Sequence, residues 1–454
     1  MNVCVEKKLV FAAALLLSAM ALAGNPTADR VSRVFDRMRR STAESPATVR
    51  ILFYGQSITA QNWGMKYVVP ELKRRYPTVR FVAENRAIGG YESPVLIRTA
   101  EADLYPFYPD LLFFHVYGPV EKYAEIVKRV RARTTADIVL WTSHLDKKEG
   151  RDAAAIRQLL KQPDARSLAI RKTADKYGCM FVDLRSKWCR MLLDRNICSG
   201  EMLVDSIHLK GTSLRPYADM IIEDLPFDGA LVENRAAGEI REVAPSLKLS
   251  FDGNRVSAVS SGEVGAAYDV FLDGKPVESL GDMWTFTRTT PGVTNTVWPM
   301  LSMVCRSVPS CQREKWTLTF LDGFNSSGTV IPYRVVGSVT GPDGVGCNTN
   351  DFQSSSGKVV IPAASWPSFG GQWGRWNYLK QRPYAGLSVE WENVPMFESP
   401  YVPGEKGVET VLVQGCANGP HALELKPRKR GRLGISRFRI CQPEHTQTTS
   451  NQTK

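Results

Sequence analysis

Residues 50–63 read RILFYGQSITAQNW. An apolar run from Arg50 to Tyr54 stops at Gly55-Gln56-Ser57 and passes directly into a segment of helical character. A short, nearly continuous apolar run reads as a strand covered on both faces, the habit of parallel sheets. The serine at its end then has two readings. It is a helix cap, since Ser and Thr are favoured there, or it is a hydroxyl held at the carboxyl edge of a sheet, where open α/β folds bind their ligands.

The same rhythm continues outward from this stretch. VRFVA (79–83), DLLFFHVY (110–117), DIVLW (137–141) and CMFVDL (179–184) are further apolar runs, separated by charged, amphipathic pieces such as EKYAEIVKRVRAR (121–133). Strand and helix in alternation predict a doubly wound parallel α/β sheet with right-handed crossovers over residues 49–228. Pro70 and Pro163 are expected to kink or divide their helices. Residues 24–48 read as a lead-in helix packed on this domain. From 229 to 443 the pattern becomes short β segments between Gly, Pro and Asp turns, with a hairpin signal at Asp273-Gly274. An all-β accessory domain of sandwich or jelly-roll type is expected there, followed by a polar, disordered tail over 444–454.

Composition narrows the class. In 454 residues, 43% hydrophobic and 23% charged content is that of a globular chain, and the length argues for more than one domain. Lys7 and Lys8 precede an apolar run ending in Ala-Leu-Ala-Gly, so residues 1–23 read as a secretory signal peptide. The run is shorter than the roughly 20 residues a membrane span needs, and no stable insertion is expected once it is removed. Removing it leaves an even set of cysteines in a chain bound for an oxidising compartment, secreted or periplasmic. Cys179 sits in an apolar run and reads as a buried thiol. Proximity alone would pair Cys189 with Cys198, Cys305 with Cys311 and Cys416 with Cys441. There is no Cys-x-x-Cys and the five histidines are scattered, so no metal site is expected. The formal charge of +12 favours acidic partners. Its one dense run, KPRKRGR (426–432), reads as a solvated loop between strands, and nucleic acid is not expected as a partner. Dinucleotide and phosphate-loop motifs are absent, which leaves no cofactor to expect.

A serine hydroxyl is a poor nucleophile unless a base removes its proton. VDSIHLKG (204–211) supplies Asp205 and His208, spaced so that the histidine reaches inward while the aspartate receives its other ring nitrogen. Here the residues resemble a family. Gly55-Gln56-Ser57-Ile58-Thr59 resembles the first block of the SGNH (GDSL) hydrolases, usually Gly-Asp-Ser-Ile-Thr, and Asp205-x-x-His208 resembles their last. ENRAIGGYES (84–93) is similar to the second block, whose glycine donates its N–H to the oxyanion. By position that role falls on Gly90, with Gly89 as its neighbouring alternative and the Ser57 N–H as a second donor.

The third block departs from the family's Gly-x-Asn-Asp, because YGPVEKY puts Gly118, Pro119, Val120 and Glu121 there. Valine cannot donate, and losing an oxyanion donor typically costs about 100- to 1,000-fold in turnover. His144, just after the fourth strand, is the candidate replacement, against the alternative of an exposed loop histidine. His115 reads as a core residue. Asn85, Gly89, His144, Trp373 and Trp376 are candidate substrate contacts, the tryptophans lying in an aromatic-rich stretch (365–391) that also suits a sheet core. The resemblance implies a flavodoxin-like sheet and an exported, metal-independent serine esterase with Ser57, His208 and Asp205 as its triad. Secreted members often deacetylate glycans, so an acylated carbohydrate is the expected substrate. Two rivals stay open: a glycan-binding protein with a degenerate hydrolase domain, and a lipase or esterase on other esters. The self-association state is not legible.

Overall fold

The computed structural model describes residues 25–232, 234–291, 304–305, 311–322, 330, 332–366, 385–386 and 388–444. Residues 1–24, which include the segment read as a signal peptide, Trp373, Trp376 and residues 445–454 lie outside the described residues.

Five strands form one parallel sheet: β1 (Thr48–Gly55), β2 (Arg80–Asn85), β3 (Leu111–His115), β4 (Asp137–Trp141) and β5 (Met180–Val182). Their order is β2-β1-β3-β4-β5, with Ile51 opposite Leu111 and Gly55 opposite His115 at the β1–β3 junction. This is the doubly wound arrangement expected from the alternating runs. Side chains of β1 alternate between two cores, Ile51 and Phe53 in one and Leu52 and Tyr54 in the other. An apolar run without polar alternation is what such two-sided burial requires.

Helices cover both faces: α1 (Ser32–Arg39), α2 (Ser57–Ala60), α3 (Val69–Arg75), α4 (Ser93–Asp103), α5 (Val120–Arg133), α6 (Ala153–Lys161), α7 (Ala165–Lys176), α8 (Leu184–Asp194), α9 (Ser199–Met202) and α10 (Leu214–Ile222). Pro163 falls between α6 and α7, dividing the predicted helix, and Asp164 caps the second piece through the Arg166 and Ser167 N–H groups. Pro70 stands in the first turn of α3, directly after a π-helical turn over Gly64–Val68 that periodicity does not announce. In the lead-in segment, Val34, Phe35 and Met38 of α1 are buried in the core that also holds Ile51 and Phe53.

The strands described after Gly238 pair antiparallel. One sheet orders Glu239–Val243, Ile435–Gln442, Lys248–Ser260, Glu409–Pro427, Tyr268–Leu272 and Lys275–Pro276. Its Asp273-Gly274 hairpin has positive φ at both turn residues (50° and 78°), the type I′ geometry. A second sheet is built on Glu314–Phe320, Pro332–Gly337, Gly341–Cys347 and Ser388–Pro395 and shares a core with Phe352, Val359 and Ile361. Two separate β cores result. Residues 428–432 of the basic run are exposed between strands, as expected of a solvated loop.

The proximity pairings of cysteines do not form for Cys189 with Cys198 or Cys416 with Cys441, all of which are free thiols. Closeness in sequence does not align Cβ atoms on different elements. Cys179 is a buried thiol, as read. Among the described residues no helix is long and apolar enough to cross a membrane.

Candidate active site

The sheet order reverses at β1 and β3, and the crevice beyond their carboxyl ends is where such folds place ligands. Ser57 stands there as the first residue of α2. Gly55 permits the approach, because a Cβ on it would lie 2.1 Å from the His115 carbonyl oxygen of the neighbouring strand. Only a residue without a side chain lets β1 and β3 run this close where the chain turns into the helix. The serine is not a cap: Gln56 holds the cap position and no side-chain cap bond is present. Gln56 itself is buried, with neither end of its amide bonded.

The Ser57 Oγ lies 2.8 Å from His208 Nε2, across 151 positions of chain. The other ring nitrogen, Nδ1, is 2.7 Å from Asp205 Oδ2. An ionised carboxylate only accepts, so Nδ1 carries the proton and Nε2 accepts from the serine hydroxyl. Asp205 is exposed, its side chain at 53%. Backbone N–H bonds from His208 and Ile207, followed by the ring, hold its carboxyl well below the usual range. Hydrogen bonds to the charged form account for this without burial.

Three neighbours hold the loop that carries these residues. Gln61 of the turn after α2 donates Nε2–H to the Leu209 carbonyl (2.8 Å) and accepts the Leu209 N–H (3.1 Å). Lys147 donates its backbone N–H to the Ser206 carbonyl at 2.9 Å. His144 donates Nε2–H to the Ile207 carbonyl at 2.8 Å. Sequence reading missed Gln61, although its four-residue offset from Ser57 puts both on one helical face.

His144 therefore departs from the expectation of a replacement oxyanion donor or an exposed loop histidine. It is 2% exposed, packed edge-on against Trp188 and Tyr217. Burial pushes its pKa down to about 4, so it is neutral, and its single N–H is committed to Ile207. His115 is a core residue as read, its Nε2 3.1 Å from the Ser143 hydroxyl and its pKa pushed down to about 3 by burial.

Asn85 also departs from the role of a substrate contact. Its Nδ2 donates to the Thr59 carbonyl (2.8 Å) and Asn62 Oδ1 (3.1 Å), and its Oδ1 accepts the Ala87 N–H (3.1 Å). The amide ties β2 to α2 and has no free donor. Gly89 lies against the serine, a Cβ on it falling 3.8 Å from Ser57 Cβ. Gly90 follows with φ +80° in a turn closed by the Tyr91 N–H on the Ile88 carbonyl (3.3 Å). The Gly89–Gly90 peptide is thus the centre of that turn, beside Ser57.

Val120 opens α5, and Gly118 before it packs on Glu92 and Ser93, where a Cβ would meet Ser93 Oγ at 2.9 Å. Arg166 of α7 fixes this segment by donating to the Gly118 carbonyl at 2.6 Å and to the Val116 carbonyl.

No protein-family model and no curated protein matches the chain. Among solved structures, a two-domain esterase active on acetylated mannans is similar at 13% identity, covering 91% of this chain and 95% of that one with a TM-score of 0.36. The acetylxylan esterase Axe2 of Geobacillus stearothermophilus is similar at 17% identity, over 42% of this chain and 100% of its own, with a TM-score of 0.33.

Proposed function

We propose that the chain is a serine esterase whose substrate is an O-acyl ester of a carbohydrate. The observation that carries the reading is the relay of Ser57 Oγ, His208 Nε2 and Nδ1, and Asp205 Oδ2, with steps of 2.8 and 2.7 Å. Ser57 Oγ attacks the ester carbonyl carbon while His208 Nε2 takes its proton. The tetrahedral oxyanion is met by the Ser57 N–H, free of intrahelical bonding at the start of α2, and by the Gly89–Gly90 peptide. Collapse breaks the carbon–oxygen bond to the sugar, whose hydroxyl leaves with the proton held by His208. Water, deprotonated by His208, then attacks the acyl-serine and releases the carboxylic acid. Asp205 holds the ring in the tautomer this sequence needs.

The choice of a carbohydrate ester rests on the motif resemblance. It is supported by the openness of the site, since the His208 side chain is 36% exposed and Asp205 more so. An acyl group carried on a bulky polar polymer reaches such a site without being engulfed.

The experiment is hydrolysis of 4-nitrophenyl acetate and of acetylated oligosaccharides by wild type and Ser57→Ala. Wild type is expected to release acetate from both, and Ser57→Ala to lose at least about 1,000-fold in kcat. Equal, background rates for the two proteins would overturn the reading. Faster cleavage of long-chain esters than of acetylated sugars would overturn the carbohydrate assignment alone.

A further inference from the structure

Segments 261–267, 402–407 and 426–434 come together beside the six-stranded β sheet. The Ser261 and Ala266 N–H groups donate to the Gly434 and Arg432 carbonyls at 3.0 and 3.1 Å, and the Arg428 N–H donates to the Ala267 carbonyl at 2.9 Å. Segment 402–407 packs on the first of these: a Cβ on Gly265 would lie 2.6 Å from Pro403 Cγ, and one on Gly262 would lie 2.8 Å from Lys406 Cβ. These ties hold the loops as one face.

The charge on that face is one-sided. Its segments carry Lys406, Lys426, Arg428, Lys429, Arg430 and Arg432 against Glu263 and Glu405, all of them exposed. Both carboxylates are taken, Glu263 by Arg432 at 3.0 Å and Glu405 by Arg80 of β2 at 2.9 Å. Arg428 turns to Asp269 at 2.7 Å, and Lys426 lies 3.7 Å over the Phe271 ring. Lys429 and Arg430 have no ion pair among the described residues. Two valines stand among these charges, Val264 at 97% exposure and Val402 at 57%. They are the chain neighbours of Gly265 and Pro403, which touch, so the two flank one contact. Exposed apolar side chains that are grouped and rimmed by polar ones mark an interaction site, where a scattered one does not.

The pairing of cations with bare aliphatic groups selects the partner. The segments hold no aromatic residue, so they offer no ring face on which a base could stack. A wholly polar polyanion would meet the cations and leave both valines in water. An anionic phospholipid surface meets both, since its charge attracts Lys and Arg while aliphatic side chains enter the boundary beneath the headgroups. The face is also remote from Ser57. The Gly407 carbonyl accepts from Thr48 Oγ1 at 3.3 Å, at the start of β1, and β1 rises about 23 Å from there to Gly55. Lipid held here leaves the Ser57 crevice open at the opposite edge of the parallel sheet.

We propose that this face docks the protein on an anionic phospholipid surface, with Lys406, Lys429 and Arg430 against the headgroup phosphates and Val264 and Val402 in the interface. The proposal is independent of the esterase reading.

The test is co-sedimentation with vesicles of phosphatidylcholine, alone or with about 30% phosphatidylglycerol. It uses the chain from residue 24, which keeps every described residue and lacks the apolar run of residues 9–23. Wild type is expected to bind the mixed vesicles at least about 10-fold more tightly than the neutral ones, and to lose that preference at about 0.5 M salt. Lys429→Gln/Arg430→Gln is expected to bind the mixed vesicles at least about 10-fold more weakly, and Val264→Ser/Val402→Ser at least about 3-fold more weakly. Equal binding to both vesicles, or an unchanged Lys429→Gln/Arg430→Gln variant, overturns the proposal. Alginate, a soluble acidic polysaccharide, is run beside the vesicles. If it competes for wild type while the valine variant binds vesicles as wild type does, the face reads charge alone and the lipid assignment is overturned. Turnover of 4-nitrophenyl acetate within about 2-fold of wild type checks that each variant is folded, and the urea unfolding midpoint does so if wild type cleaves no ester.

Discussion

Asp205 is held ionised by hydrogen bonds and not by burial. Two backbone N–H groups reach its Oδ1, from Ile207 at 2.9 Å and His208 at 2.8 Å, and the ring takes Oδ2. Three donors leave the carboxylate ionised at neutral pH, and an ionised carboxylate can accept only, which fixes the proton on Nδ1. In Asp205→Asn the amide NH₂ can face Nδ1, which moves the ring proton to Nε2 and points it at the serine oxygen. The expected outcome, in steady-state kinetics on 4-nitrophenyl acetate, is a fall of about 10,000-fold in kcat with KM little changed. A fall below 10-fold would remove Asp205 from the orienting role. At the same scale Gly55 explains why the motif needs a glycine ahead of the serine: the His115 carbonyl already occupies the place of its Cβ.

The loop over 203–209 is a small closed element, bridged from Leu203 to Leu209 and bonded from the Val204 N–H to the His208 carbonyl at 2.9 Å. Its position relative to α2 is set from outside, by Gln61, Lys147 and His144. The His144 ring is neutral because burial opposes its charge, and its Nε2–H holds the Ile207 carbonyl. In His144→Phe the loop loses this anchor, and kcat for 4-nitrophenyl acetate is expected to fall about 10- to 100-fold, the scale of a small misplacement of reacting groups. His144→Gln retains an N–H donor and is expected to recover most of the loss. The same residue makes a pH prediction. Its folded pKa of about 4 lies below the unfolded value near 6.5, so the unfolded chain takes up the proton first as pH falls. Stability is therefore lost between pH 6.5 and 4. The unfolding free energy of His144→Gln should fall less steeply there, by about one proton, or ~1.4 kcal/mol per pH unit. Urea denaturation across that range measures the slope, and parallel slopes would show that His144 is charged in the fold.

Over the whole molecule, a buried ion cluster joins the parallel-sheet unit to the β sheets. Glu409 meets Arg37 at 2.7 Å, Arg439 at 3.3 Å and Arg255 at 3.8 Å, and Arg439 meets Asp110 at 2.5 Å. Burial would raise the Glu409 carboxyl, but Arg439, Arg37 and Arg255 outweigh it and hold it well below the usual range. Removing one member strands the rest without compensation. Glu409→Gln is expected to cost about 3–5 kcal/mol at pH 7 by urea denaturation. The gap from wild type should narrow below about pH 4.5, because wild type loses the Glu409 contribution as the carboxylate protonates. A constant gap would mean that the glutamate acts through shape alone. Sequence by itself determined the strands of the parallel sheet, the β character of the second half and the order of the serine, glycine-turn and Asp-x-x-His motifs. These follow from periodicity and local spacing, which act over a few residues. Tertiary structure alone decided that His144 faces inward, that the Asn85 amide is fully bonded, that the neighbouring cysteines stay apart, and that Arg37, Asp110, Glu409 and Arg439 meet. Each of these depends on which surfaces pack together across hundreds of positions, and residues so distant leave no shared local pattern in the chain.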